Sequence, residues 1–212
     1  MSTTAFASLR RFARPVQAAE RCEMCKIALG AEHQHLLEPA TRKLICACDA
    51  CSLLFDTRTK YKRVPRRVRS LPDLRLTDSQ WAGLLLPINL VFFFYSTPQG
   101  RVAALYPSPA GATESLLSLD TWNEIARENP ILGEMEPDVE ALLVNRIGQS
   151  RGFGDGEHYL VGIDECYKLV GLIRTHWQGL SGGADVWREL GQFFESLKIR
   201  SSPAIESVEF HA

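Results

Sequence analysis

A chain of 212 residues, 45% apolar and 23% charged, has room for one ordinary domain plus a small extra module, and enough apolar side chains to build a core. Its formal net charge of −1 says nothing about partners, but it conceals an asymmetry. Residues 1–70 hold 14 Lys/Arg against 6 Asp/Glu, whereas residues 71–212 hold 10 against 19, so the two parts attract one another.

Membrane insertion finds no support in the pattern. The longest apolar run, Leu84 to Phe94, is interrupted by Pro87 and Asn89 and falls short of the roughly 20 residues a spanning helix needs. Arg10, Arg11 and Arg14 are followed by no apolar stretch, so no signal peptide is expected and a soluble, cytoplasmic protein is the default. Five of the six cysteines fall within thirty residues, and in a reducing compartment such clustering favours metal over disulfides.

In chain order, residues 1–20 are small, polar and basic, and read as a flexible N-terminus. Residues 21–56 form a cysteine module: Cys22-Glu-Met-Cys25, a gap of 22 residues, then Cys48-Asp-Ala-Cys51, with Cys46 just upstream. A C-x-x-C turn sets two thiolates on one side of a tight loop, and two such turns brought together offer the tetrahedral sulfur set that Zn²⁺ accepts. Between them, His35-Leu36-Leu37 and Lys43-Leu44-Ile45 are strand-like about a turn at Glu38-Pro39-Ala40-Thr41, and Cys51-Ser52-Leu53-Leu54-Phe55 reads as helical. A knuckle, a hairpin and a second C-x-x-C entering a helix favour a treble clef over a zinc ribbon.

The metal ligands expected are therefore Cys22, Cys25, Cys48 and Cys51, with Cys46 as an alternative to Cys48, because residues two apart on a strand share a face. His33 and His35 are close in sequence but are expected to be surface or hairpin residues, since four thiolates already close the site. Zn²⁺ is favoured as the ion. Iron in a rubredoxin-like Fe(Cys)₄ centre is the competitor, disfavoured because Lys26 and Ser52, not glycine, follow the two pairs. A module this small cannot bury enough surface alone, so ligation would supply much of its stability.

Residues 57–70 form a basic connector with Arg58, Lys60, Lys62, Arg63, Arg66, Arg67 and Arg69, split by Pro65. Contact with nucleic acid phosphates is one reading, but a solvated linker, or one that docks on the acidic part of the chain, is preferred. Tyr61 is the lone aromatic among the charges, so no stacking ladder exists.

Residues 71–200 read as an α+β domain, with residues 201–212 as a tail. Thr77 and Gln80 have capping-box spacing before Trp81. Leu86–Ser96 reads as a strand buried on both faces, turned at Thr97-Pro98-Gln99-Gly100 into a second strand at Arg101–Tyr106. Asp120 is expected to cap a helix ending at Glu128, before Asn129-Pro130. Val139–Ile147 and His158–Ile163 supply two more strands around a loop at Gly148–Gly156. Asp164 is expected to cap a helix from Glu165 to Trp177, and a last helix runs from Asp185 to Lys198. Strands first and helices last imply an antiparallel sheet with two C-terminal helices. Cys166 has the apolar spacing of a core thiol, and no Ser-His-Asp or paired-carboxylate arrangement stands out.

Two stretches carry a resemblance: Cys22 through Phe55, and Tyr159-Leu-Val-Gly-Ile-Asp-Glu-Cys-Tyr-Lys-Leu-Val-Gly171 with Trp177-Gln-Gly-Leu-Ser-Gly-Gly183. Together they resemble an uncharacterised bacterial family, a domain of unknown function often encoded beside high-affinity nickel-iron hydrogenases. No activity carries over. The resemblance implies an accessory role in hydrogenase assembly, maturation or electron transfer, with a hydrogenase subunit or assembly factor as protein partner. The expectation is thus a non-enzymatic, zinc-binding accessory protein. A rubredoxin-like electron carrier and a nucleic-acid-binding protein are the alternatives.

Overall fold

The computed structural model describes residues 20–57, 60–116, 118–147, 156–179 and 182–203. A small sheet comes first. Strands β1 (Gln34–Glu38) and β2 (Lys43–Ala47) form an antiparallel hairpin whose register runs from Glu38↔Lys43 to Gln34↔Ala47. Arg42, at φ 56°, turns the chain at its tip. Helix α1 (Asp49–Leu54) follows, and β3 (Lys62–Arg63) pairs with the outer side of β1.

A seven-stranded sheet makes up the body. It contains β4 (Arg69–Ser70), β5 (Leu90–Ser96), β6 (Arg101–Ser108), β7 (Gly111–Ser115), β8 (Glu140–Asn145), β9 (Glu157–Gly162) and β10 (Ser202–Pro203), in the order β10-β4-β9-β8-β5-β6-β7. Every pairing is antiparallel except β10 with β4. Helices α2 (Asp78–Gly83) and α3 (Leu119–Glu128) interrupt the strands, and α4 (Ile163–His176) and α5 (Gly183–Arg200) lie between β9 and β10. The α+β class with an antiparallel sheet and C-terminal helices is as expected.

Strand β5 shows why the sheet is central. Alternate side chains point to opposite faces, and here both faces are covered. Leu90, Phe92 and Phe94 join Ile163, Leu169, Ile173, Val186, Leu190 and Phe194 of α4 and α5 in one core. Val91 and Phe93 join Leu84, Trp122, Ile125, Leu132 and Met135 in a second, with Phe93 stacked on Trp122 at 4.9 Å. Full burial of each such side chain contributes about 1.5–3 kcal/mol.

Local departures from expectation have local causes. The strand expected from Leu86 begins at Leu90, because Leu85 is left-handed (φ 54°) and Pro87 has no N–H to give a ladder. Strand β7 carries no periodic signal, because Gly-Ala-Thr-Glu-Ser is a half-exposed edge without apolar alternation. Asp164 and Asp120 are not caps. The caps are Gly162 and Ser118, and both aspartates lie in first turns, where a carboxylate suits the helix dipole. The capping box at Thr77 and Gln80 is present as its spacing predicts.

The basic connector is folded into both sheets through β3 and β4, and buries Val64 and Val68 in the principal core beside Leu37. Gly162 permits this. A Cβ there would strike the Pro65 carbonyl, so only glycine lets the connector lie against the start of α4. The charge asymmetry becomes specific contacts. Lys62 Nζ meets Asp138 at 2.6 Å, Arg67 grips Glu140 at 2.7 and 2.9 Å, Arg69 reaches Glu134 at 3.3 Å, and Arg42 reaches Glu114 at 3.1 Å. Among the described residues no helix is long and apolar enough to cross a membrane.

Candidate metal centre

The two C-x-x-C pairs are presented by different local structures. Cys22 and Cys25 lie on a tight turn: the Lys26 N–H donates to the Cys22 carbonyl at 2.8 Å, and the Cys22 N–H donates to the Ile27 carbonyl at 2.9 Å. Lys26 takes the left-handed conformation that such a turn demands (φ 67°), without the glycine that would adopt it at least cost. Its ammonium donates to the Glu23 carbonyl at 2.8 Å. The second pair stands at the start of α1. Cys48 is the N-cap, its Sγ accepting from the Cys51 N–H at 3.4 Å, and Ser52 is the helix residue that follows.

These elements bring the sulfurs of Cys22, Cys25, Cys48 and Cys51 within 4.8 Å of one another. Cys25 and Cys48 are 3.7 Å apart, far beyond a disulfide. A tetrahedral ion with Zn–S bonds of about 2.3 Å sets sulfurs about 3.8 Å apart, so the cluster fits such an ion. Four cysteines thus stand where they could hold a metal. Cys22 and Cys51 are buried, and Cys25 is exposed.

The sulfurs are electrostatically unequal. Burial opposes ionisation of Cys22, but N–H groups of Cys25, Cys48 and Met24 aimed at its sulfur outweigh this and lower its pKa to about 6. Burial, hydrogen bonds to Cys48, Cys25 and Cys22, and the Cys22 charge push Cys51 up to about 12. One thiolate forms readily and hinders the next. A bound cation is what would let all four ionise.

Cys46, the alternative ligand, is elsewhere. Its sulfur groups with ring nitrogens of His33 and His35, again within 4.8 Å of one another. Neither histidine is a plain surface residue. The His33 side chain is only 7% exposed, and His35 bonds to Asp164, 129 positions away, at 2.8 Å. One signal in the sequence could have found this group: pairing Glu38 with Lys43 sets His35 opposite Cys46, and His33 follows by the period of two.

Other candidates are accounted for. Cys166 is fully buried, and burial together with Asp164 and Glu165 pushes its thiol well above the usual range, so it is a core residue, as its spacing predicts. Trp177 Nε1 donates to the Gly179 carbonyl at 2.9 Å. The glycine-rich segment Gly152–Gly156 lies, except for Gly156, outside the described residues, as do Leu180 and Ser181.

The profile of the Family of unknown function (DUF5947) matches residues 21–201. The chain belongs to the DUF5947 family. The DUF5947 match begins beside Cys22 and runs past α5, so it takes in the cysteine module and the body together. Searches of the curated proteins and of the solved structures return no match.

Proposed function

We propose that Cys22, Cys25, Cys48 and Cys51 hold a structural Zn²⁺, and that the protein is a non-enzymatic accessory factor engaging a protein partner. The observation that carries this reading is the four-sulfur cluster itself, with spacing suited to a tetrahedral ion. Four thiolates leave no open position for substrate, so the ion's work is to hold the module in shape. The knuckle, hairpin and helix-borne second pair support a treble clef over a ribbon, because Cys48 caps a helix and does not sit on a second knuckle.

The partner contact is supported by what the module leaves exposed. Ile27, Leu53 and Leu54, each within three residues of a cluster cysteine, are 57%, 65% and 73% exposed. The resemblance to proteins encoded beside nickel-iron hydrogenases makes a hydrogenase subunit or assembly factor the partner to try first. A nucleic-acid role is less well supported, since Lys62, Arg66, Arg67 and Arg69 each meet a carboxylate of the chain itself.

Elemental analysis with an ultraviolet–visible spectrum tests the ion: a colourless protein containing zinc is expected. A red, redox-active protein with iron at these cysteines would instead establish the electron-carrier alternative. Binding to purified hydrogenase subunits, weakened by Leu53→Asp with Leu54→Asp, tests the partner. Equal binding by the double variant would remove the exposed leucines from the argument.

A further inference from the structure

His33, His35 and Cys46 meet because of hairpin register. His35 lies opposite Cys46 across β1 and β2, and His33, two residues earlier, shares the His35 face, with the ring centroids 4.7 Å apart. The Cys46 backbone is held on both sides by Glu23: its N–H donates to Oε1 at 3.0 Å, and its carbonyl accepts from the Glu23 N–H at 2.8 Å.

The tautomers follow from the partners. His33 Nδ1 faces the Gly30 carbonyl at 3.1 Å, and His35 Nδ1 faces Asp164 Oδ2 at 2.8 Å. A carbonyl oxygen only accepts, so His33 Nδ1 carries the proton, and an ionised Asp164 makes the same demand of His35. In the neutral rings both Nε2 atoms are then left with a lone pair. An imidazole whose Nδ1–H is anchored on a carbonyl or a carboxylate is the arrangement that metal-binding histidines use to fix ring orientation and raise basicity. His33 Nε2 is buried and has no hydrogen-bond partner among the described residues, and a buried polar atom in that state costs free energy that a ligand would recover.

We propose that His33 and His35, through Nε2, and Cys46, through Sγ, form a second transition-metal site, separate from the four-thiolate cluster. Two imidazoles and one thiolate are a borderline-soft set suited to Zn²⁺ and its first-row neighbours. Three protein ligands leave a fourth position for water or an exchangeable ligand, unlike the closed set of four cysteines. Glu20, whose carboxylate is 3.5 Å from His33 Nδ1, stands at the edge of the group. Because Asp164 belongs to α4, an ion here would tie the module to the body through His35.

The test uses the full chain, stripped of metal and titrated with Co²⁺, then with Zn²⁺ under native mass spectrometry. Two ions per chain are expected. The first Co²⁺ equivalent should show the charge-transfer band of four thiolates, and the second about a quarter of that intensity, for one thiolate. Nitrogen-15 spectra of the histidine rings should show the Nε2 signals of His33 and His35 moving with the second equivalent only. Cys46→Ser and His33→Gln should keep the first ion and lose the second. Saturation of the wild-type chain at one four-thiolate ion, or a second ion that leaves both rings unmoved, would overturn the proposal without reference to any variant. A sole ion that moves the histidine signals and lacks the four-thiolate band would keep this site and remove the cysteine one.

Discussion

In β5, an interior strand of the body, Phe92, Phe93 and Phe94 stand in succession, each 1% exposed or less, with helices above and below. The small sheet has nothing comparable: its own core is Cys22, Leu36, Ile45, Ala47 and Cys51. Two of those five are cysteines of the four-sulfur cluster, so that core is closed by the same side chains that could hold a metal. The module's attachments differ too. It meets the body through Leu37, Leu44 and Val64, and also through polar links such as His35–Asp164, Lys62–Asp138 and Arg42–Glu114. One sequence thus uses two means of stability. Apolar area suffices where the chain is long enough to surround a sheet, and under the zinc reading proposed above ligation would substitute where it is not.

Metal removal should separate the two regions most sharply, because structural zinc contributes about 10–16 kcal/mol in small zinc-folded peptides. On chelation, or in Cys51→Ser, amides between Cys22 and Leu54 should lose hydrogen-exchange protection while β5, β8 and β9 keep theirs. Equal loss in both regions would break the comparison. Phe93→Ala should do the reverse. Its cavity beside Trp122 should lower global stability by about 3–5 kcal/mol in a denaturant titration, with metal content unchanged.

At the joint, Asp138 is 2% exposed and accepts from Lys62 Nζ and from the N–H and hydroxyl of Thr97. Asp138→Ala should cost about 1–3 kcal/mol, by leaving those donors unsatisfied, and loosen β3 before β5 in exchange experiments. The smallest effect is a proton count. At pH 7 Cys22, at about 6, arrives as thiolate while Cys51, at about 12, arrives as thiol, so loading releases the Cys51 proton. Below pH 6 Cys22 is protonated as well. Calorimetry of the first, four-thiolate ion in buffers of different ionisation enthalpy should therefore show about one more proton released per ion at pH 5 than at pH 7, with weaker zinc binding at the lower pH. An unchanged count would mean that the Cys22 thiol is not favoured to ionise.

Much of the architecture was legible in the chain because its signals are short-range. Thr77 and Gln80 announce a helix start three residues apart, the run ending in Phe92-Phe93-Phe94 announces a strand covered on both faces, and each C-x-x-C pair sets its two sulfurs together within one turn. The two-residue strands β3, β4 and β10 carry no period at all, and β7 is too polar to show one. The choice between Cys46 and Cys48 was also hidden. Strand alternation puts both on one face, but β2 ends at Ala47, so the rule fails one residue before it matters. Cys48 turns with the cap of α1 toward Cys25 and Cys51, while Cys46 stays in the strand beside His35.

The sequence by itself determined the α+β class and the two cysteine pairs, since spacing and periodicity are properties of neighbours along the chain. Tertiary structure alone decided that the four sulfurs converge, that Lys62, Arg67 and Arg69 of the connector are matched to Glu134, Glu136, Asp138 and Glu140, and that Asp164 orients His35 from 129 residues away. Those partners are chosen by how the connector lies against Gly162 of β9 and how His35 meets the start of α4, and no local pattern records that choice.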